Sequence, residues 1–442
     1  MVNQKEANMI TLEHDKLKFS FPGLANELRQ LTTAELEPVI NRLMSEDRAR
    51  AFARLIETNY RYSSLKEAQI SEMQGKLLAL TPDGLRAAIL RNVGHHAFLN
   101  SNNKSGLETT ISFQRTLRIP DDGKPYPLPP GLGSFPLRHV DDHTQKSTPA
   151  WLKSGGVMLP IYQAEALWLS FAGDYPCALK VGTGKINAVS GQSWTSLLSQ
   201  NPQDYVILPE QPWLDGYCVE KGYIRQFVAM PLGEGYTAEE QVTGSGDHGG
   251  VQLQIYPLKA KIYFEESIRP EFPEKLIDIL PSLIPLPERQ FVAAAAVQSY
   301  DHLMEDEVAC KVNMGLGAGG RMRQEIYADE RPLNAWDTTA KSRCFVHLCN
   351  SILWQQITGQ KPPHPPFNAA VYAKYGLPWF DYYREDIAAL PGSSVLKKLK
   401  SVFQIARNKV EPSLLKQEPV EPTLIIQYGE KRRPDEVREW VD

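Results

Sequence analysis

The spacing of apolar residues changes along the chain, and each change predicts a different kind of element. Over 24–92 the spacing is helical. Leu24, Leu28 and Leu31 open an apolar stripe, and Val39, Ile40, Leu43, Phe52, Leu55 and Ile56 continue it at helical intervals. Thr33, with Glu35 and Glu37 close behind, supplies a cap and the acids that favour a helix N-terminus. From about 157 to 265 the period falls to two. The pieces "GVMLPIYQ", "CALKV", "KINAVSG", "DYVILP", "GYCVEKGYIRQFVAMP", "YTAEEQVT" and "GVQLQIYPLKAKIYF" are predicted strands or strand pairs. Helical character returns at 287–306. It returns again at 342–358, where Phe345, Leu348, Cys349, Ile352 and Leu353 form one stripe and Gly359 stops it. A basic amphipathic helix, "VLKKLKSVFQIARNK", precedes a proline-spaced, charged tail.

Strands and helices thus come in runs and not in strict alternation, which predicts an α+β fold. The expectation is an antiparallel-rich central sheet or sandwich flanked by N- and C-terminal helical regions. Its boundaries fall at 1–100 for the helical N-terminal region, 101–340 for the β-rich centre and 341–442 for a helical and aromatic region with the charged tail. The polar linker "SNNKSG" marks the first boundary, and the proline-rich stretch after it tolerates no helix.

Composition narrows the function classes. A chain of 442 residues buries a core without disulfides or a metal. Its net charge of −4 gives no basic footprint for nucleic acid. The longest apolar run, "FVAAAAV", falls far short of the roughly 18 residues a membrane helix needs. The N-terminus is polar and carries acids, unlike a signal or transit peptide. Five cysteines (Cys177, Cys218, Cys310, Cys344 and Cys349) are widely spread with no C-x-x-C, so neither zinc nor a redox pair is signalled. Reduced thiols, a cytoplasmic location, and no metal or cofactor are the expectations.

Several glycine-rich strings tempt as chemistry. "MGLGAGGRMRQEIYADERP" contains G-x-G-x-x-G, but Pro332 arrives too soon for the helix of a dinucleotide site, and the residues after the glycines alternate as in a strand. Arg321 and Arg323 then share one face beside free backbone N–H groups, which suits an anion. "VGTGKINAV" lacks the first glycine of a phosphate loop and is read as a hairpin carrying Lys185. In the hairpin tipped by Glu220, Lys221 and Gly222, either Gln226 or Arg225 must be a buried polar group, with Asp215 the nearest acid for Arg225. "RHVDDH" places His139 and His143 four apart, but no helix is signalled to bring them together on a metal. "GLPWFDYYRED" makes Trp379 and Asp381 candidates for a binding surface or a docking segment. "EQVTGSGDHGGVQLQIYPLK" is read as a hairpin whose loop, Gly244 to Gly250, carries Asp247 and His248 between a poorly alternating strand and a half-buried one. Asp247 and His248 matter for function only if another glycine tip, at Gly182 or Gly315, meets them in space.

The strings "RTLRIPDDGKPYPLPPGLGSFPL", "QPWLDG", "RQFVAMPLGEGYTAEEQVTG", "HGGVQLQIYPLK", "MGLGAGGRMRQEIYAD" and "GLPWFDYY" occur in that order. In them the chain resembles a family of uncharacterised bacterial and fungal proteins, over roughly residues 110–385. The resemblance implies kinship, and it brings no activity and no catalytic residue with it. Two functions remain open. One is a ligand-binding or protein-interaction protein, with Lys185, Arg225, Arg321, Arg323, Trp379 and Asp381 as contact candidates. The other is a hydrolase or transferase acting on a polar or anionic small molecule, with Asp247 and His248 as acid/base groups and Cys218 as a nucleophile only if a histidine lies beside it.

Overall fold

The computed structural model describes residues 9–24, 108–267 and 313–428, apart from 174, 340, 367, 375–376, 383, 385–386 and 423. The helices expected over 25–92 and 287–306 lie outside the described residues. In chain order, β1 (Met9–Glu13) and β2 (Lys16–Ser20) form a hairpin, and β3 (Glu108–Thr116) pairs with β2. Then come β4 (Arg138–His139), helix α1 (Pro149–Ser154), β5 (Val157–Ile161), β6 (Ala166–Ala172), β7 (Cys177–Thr183) and β8 (Ile186–Asn187). They are followed by β9 (Val206–Leu208), β10 (Trp213–Leu214), β11 (Gly216–Glu220) and β12 (Tyr223–Pro231). Helix α2 (Ala238–Thr243), β13 (Val251–Pro257), helix α3 (Ala260–Ser267), β14 (Asn313–Arg323), β15 (Ser342–Asn350) and helix α4 (Ser351–Thr358) complete the central part. Last are α5 (Ala369–Lys374), β16 (Trp379–Tyr382), α6 (Val402–Lys409), α7 (Pro412–Leu415) and β17 (Ile425–Tyr428).

The first fifteen strands form one sheet, ordered β1-β2-β3-β6-β12-β14-β15-β13-β7-β8, with β4, β5, β9, β10 and β11 attached beside this path. All its ladders are antiparallel except that between β15 and β5. The α+β expectation with helical flanks is therefore overturned: the described residues are sheet-dominated, and their helices are few and short. Two segments show why. Cys344, Val346 and Leu348 are buried at every second position of β15, and over nine residues this period of two overlaps a helical one. Pairing with β13 on one edge and β5 on the other decides it, so only 351–358 of the expected helix 342–358 is helical. Conversely, the poorly alternating Tyr236–Val242 is no strand. Thr237 accepts a hydrogen bond from the Glu240 N–H, and Glu240 accepts one from the Thr237 N–H, a capping box that starts α2.

The sheet bends back on itself. Asp15, in the β1–β2 turn, accepts from the Leu137 N–H and the Arg138 guanidinium, both at 3.0 Å. Arg138 begins β4, which pairs with β5, so this contact ties one end of the sheet to strands beside β15. Strands β5, β7 and β13 are buried on both faces. The half-buried strand expected after Gly250 is thus wholly covered, and Gln252 and Gln254 lie inside with Val251, Leu253 and Ile255.

Candidate functional site

Three of the glycine strings converge at one end of the sheet. The tip of the β7–β8 hairpin is Gly184–Lys185. The Gly184 N–H donates to the Gly250 carbonyl at 3.1 Å, and the Gly250 N–H donates to the Met314 carbonyl at 3.0 Å. Gly250 ends the loop that leaves α2, and Met314 opens "MGLGAGG" in β14, which is a strand and not a turn. Gly184 has φ +54°, and a Cβ there would lie 2.1 Å from the Glu239 Oε2. Only glycine fits that approach.

Glu239 is the centre of the convergence, and it escaped the sequence reading. It sits on α2, 3% exposed. Its carboxylate accepts from the Lys185 N–H at 3.1 Å, the Gly249 N–H at 2.8 Å and His248 Nδ1 at 3.1 Å. The two glycine-rich tips are stitched through this one side chain. His248 is held by its Nδ1 with its ring half exposed, and Asp247 beside it is exposed.

The charges expected to hold an anion fall into two groups. Arg225 pairs with Asp121 at 3.2 Å, not with Asp215. Arg321 pairs with Glu220, which also takes Lys397 at 2.7 Å, and its guanidinium lies 4.1 Å over the Tyr223 ring. Arg323 pairs with Asp381 at 2.7 Å. All three are neutralised locally, and Arg225 and Arg321 are register partners toward the end of β14 away from the glycine tips. Trp379 is buried against Tyr372, and Asp381 is buried with it, so both serve to dock β16. Lys185 differs: its side chain is exposed beside Gly184, and it has no acid within ion-pair distance among the described residues.

A second unpaired cation stands nearby. Arg343 in β15 donates to the Gln252 side-chain oxygen, and the Gln252 amide donates to the Gly184 carbonyl. Its guanidinium lies 4.4 Å over the Phe345 ring and 5.8 Å from that of Trp194. Burial holds its pKa below the usual arginine value, and no acid pairs with it among the described residues. The Trp194 ring packs on Gly182, its backbone N–H donates to the Lys185 carbonyl at 2.7 Å, and its indole Nε1 is buried with no partner. The alternation of Arg343 and Phe345 was present in the sequence, hidden by the helical reading of that segment.

The remaining candidates are structural in place. Cys218 is buried, and burial pushes its thiol up to about 12, which opposes the thiolate a nucleophile needs. All four described cysteines are free and buried. Gln226 is the buried polar group of its hairpin, accepting from the Ile119 N–H and donating to the Leu117 carbonyl, each at 2.8 Å. His347 Nε2 donates to the Gly155 carbonyl, 2.9 Å away, and the ring stacks on Trp151. Among the described residues no three His, Cys, Asp or Glu side chains are grouped to hold a metal, and no helix is long and apolar enough to cross a membrane.

Asp215 is left over by the pairing of Arg225 with Asp121. It is 1% exposed, and neither carboxyl oxygen accepts a hydrogen bond. Burial pushes its pKa well above the usual carboxylate range, and the nearby Trp213 side chain offsets only part of this. The folded pKa therefore exceeds the unfolded one. Stability is present at acid pH and is lost as the pH rises from the ordinary carboxylate range toward the folded pKa. Asp215→Asn, which keeps the shape and removes the charge, is expected to raise stability at about pH 8 and to change it little at about pH 4. Urea unfolding of both proteins at the two pH values checks this.

Comparison of the chain with protein-family models, with curated proteins and with solved structures gives no match in any of the three.

Proposed function

We propose that the protein is a ligand-binding protein whose recognition face is the glycine convergence, and that its ligand is a small polar molecule carrying an anionic group. One observation carries the reading: Lys185 and Arg343 flank Gly184 without an acid partner among the described residues, while Arg225, Arg321 and Arg323 are each paired. The buried, unpartnered Trp194 Nε1 and the oriented His248 add a donor and an imidazole at the same place. Aromatic rings beside Arg343 favour a ligand with a flat or apolar part next to its charge. Kinship with the bacterial and fungal family, carried by strings such as "QPWLDG", belongs to the same reading, as does a cytoplasmic location, which fits the free, buried thiols.

A second reading, a hydrolase or transferase on such a molecule, is favoured by the Glu239–His248 hydrogen bond, which orients an imidazole as a general base requires. Its candidate nucleophile, Cys218, is buried. Thermal unfolding in a panel of small carboxylates, phosphate esters and nucleotides tests the binding reading. At least one compound is expected to raise the Tm of the wild type and not that of Lys185→Gln or Arg343→Gln. Equal shifts in all three proteins would place binding elsewhere.

A further inference from the structure

The segment between α4 and α5, "QKPPHPP" over 360–366, crosses the surface as a strap. Four of its residues, Pro362, Pro363, Pro365 and Pro366, have no backbone N–H. It is tied down through carbonyl oxygens instead, and two successive ones are used. The Tyr162 hydroxyl donates to the Pro363 carbonyl and Arg115 Nη2 donates to the His364 carbonyl, each at 2.8 Å. At the start of the strap the Gln360 side chain accepts from Arg138 Nε at 3.1 Å. Lys361, His364, Pro365 and Pro366 are exposed.

Beneath the strap is a buried ion pair. Arg115 of β3 is 5% exposed, and Glu165, in the turn between β5 and β6, is 2% exposed. Nε and Nη2 of Arg115 both meet Glu165 Oε1, at 2.7 and 2.6 Å. Glu165 Oε2 accepts from the Tyr162 N–H at 3.0 Å, so both carboxylate oxygens are engaged. Tyr372 of α5 is the further titratable group beside this pair, and its hydroxyl donates to the Pro130 carbonyl at 3.1 Å.

His364 lies against the third nitrogen of the guanidinium, with Nδ1 3.5 Å from Arg115 Nη1. Nδ1 is also 2.8 Å from the Pro365 carbonyl, which can only accept, so Nδ1 carries the proton. The ring thus turns a donor toward the Arg115 donor, a contact tolerated while the ring is neutral. The next proton goes to Nε2, and an imidazolium spreads its charge over both nitrogens. One proton therefore sets two cations 3.5 Å apart. Partial burial holds the His364 pKa below the ordinary imidazole value and the Arg115 charge adds to this, while the Pro365 hydrogen bond opposes it.

We propose that segment 360–366 is an acid-released strap. Uptake of one proton by His364 expels it from Arg115, and the Arg115 guanidinium and the Tyr162 hydroxyl are uncovered as donors to solvent. Because the folded pKa lies below the unfolded one, the closed strap is stable at neutral pH and is lost as the pH falls from the ordinary imidazole value toward the folded one. The device shares no residue with the proposed ligand face at Gly184.

Hydroxyl-radical oxidation of the full chain, mapped by mass spectrometry at about pH 7.5 and about pH 5, tests it through Tyr162. Each rate is divided by that of the same residue in the urea-unfolded chain at the same pH, so that intrinsic reactivity cancels. In the wild type Tyr162 is expected to oxidise roughly threefold faster, or more, at the acid pH. In His364→Gln, which takes up no proton, the two rates are expected to be equal. Tyr256, buried in β13, is expected to stay protected in both proteins at both pH values. A wild-type Tyr162 rate that does not rise, or that rises as much in His364→Gln, overturns the proposal. So does a rise that Tyr256 shares, since that reports general unfolding. His364 is exposed, so its replacement leaves the core untouched.

Discussion

Arg331→Ala is expected to lower the unfolding free energy by roughly 3–5 kcal/mol, the usual loss when one partner of a buried ionic network is removed. Arg331 holds together three parts of the fold. It donates to Glu266 of α3 at 3.0–3.1 Å and to Glu210 of the β9–β10 connection at 3.0 Å, and it lies beside Asp329. Its guanidinium also lies 5.6 Å over the Trp336 ring. Glu210, Glu266 and Asp329 are all buried, and among the described residues no other cation forms an ion pair with them. Asp329 keeps hydrogen bonds from Tyr205 at 2.7 Å and Trp336 at 2.8 Å; Glu210 and Glu266 are more exposed to the loss. Urea unfolding of wild type and variant at about pH 7 measures the deficit, and a loss below about 1 kcal/mol would mean that the network contributes no more than a surface ion pair.

Glu239→Ala is expected to cost roughly 2–4 kcal/mol, because two backbone donors and an imidazole lose one common acceptor, at about 1–3 kcal/mol for each buried group left unsatisfied. The larger effect is local. The Lys185 and Gly249 N–H groups lose their acceptor, so their amides are expected to exchange hydrogen much faster, while the amides of β13 keep their protection. Glu239→Gln retains the shape and an oxygen but turns an amide N–H₂ toward donors, so it falls between the two. Hydrogen exchange read residue by residue distinguishes this from general destabilisation. Unchanged exchange at Lys185 and Gly249 in Glu239→Ala would remove Glu239 from the centre of the site.

The strands were legible wherever turn chemistry and a period of two agreed. The β7–β8 hairpin with its Gly184 tip and the β11–β12 hairpin with Gly222 at φ +77° are where the residues place them. The helix α2 was equally legible, since Thr237 and Glu240 form a T-x-x-E signature, but the apolar residues at 236, 238 and 242 drew the reading toward a strand. Segment 342–350 was lost for the opposite reason, because nine residues are too few to separate the two periods and long-range pairing makes the choice.

Within the candidate site, the sequence pointed to loops that the fold brings together. It raised the meeting of the Gly182 and Gly315 strings with His248 as the condition that matters, and Gly184, Gly250 and Met314 are joined by hydrogen bonds. It could not show that Glu239 would be the carboxylate between them, because only the packing of α2 against the β7–β8 tip turns that side chain inward. Nor could it sort the cations. Arg225, Arg321 and Arg323 are no different in composition from Arg343; what separates them is the distance to Asp121, Glu220 and Asp381, residues up to 104 positions away in the chain.

Native mass spectrometry of the full chain as purified, beside the Lys185→Gln/Arg343→Gln double variant, tests the proposed ligand face most directly. The expected spectrum of the wild type shows a retained small molecule whose mass and charge identify an anionic compound, and the double variant is bare. The same molecule at the same occupancy in both proteins, or a bare wild type that no anion of the panel stabilises, would contradict a ligand face at Gly184.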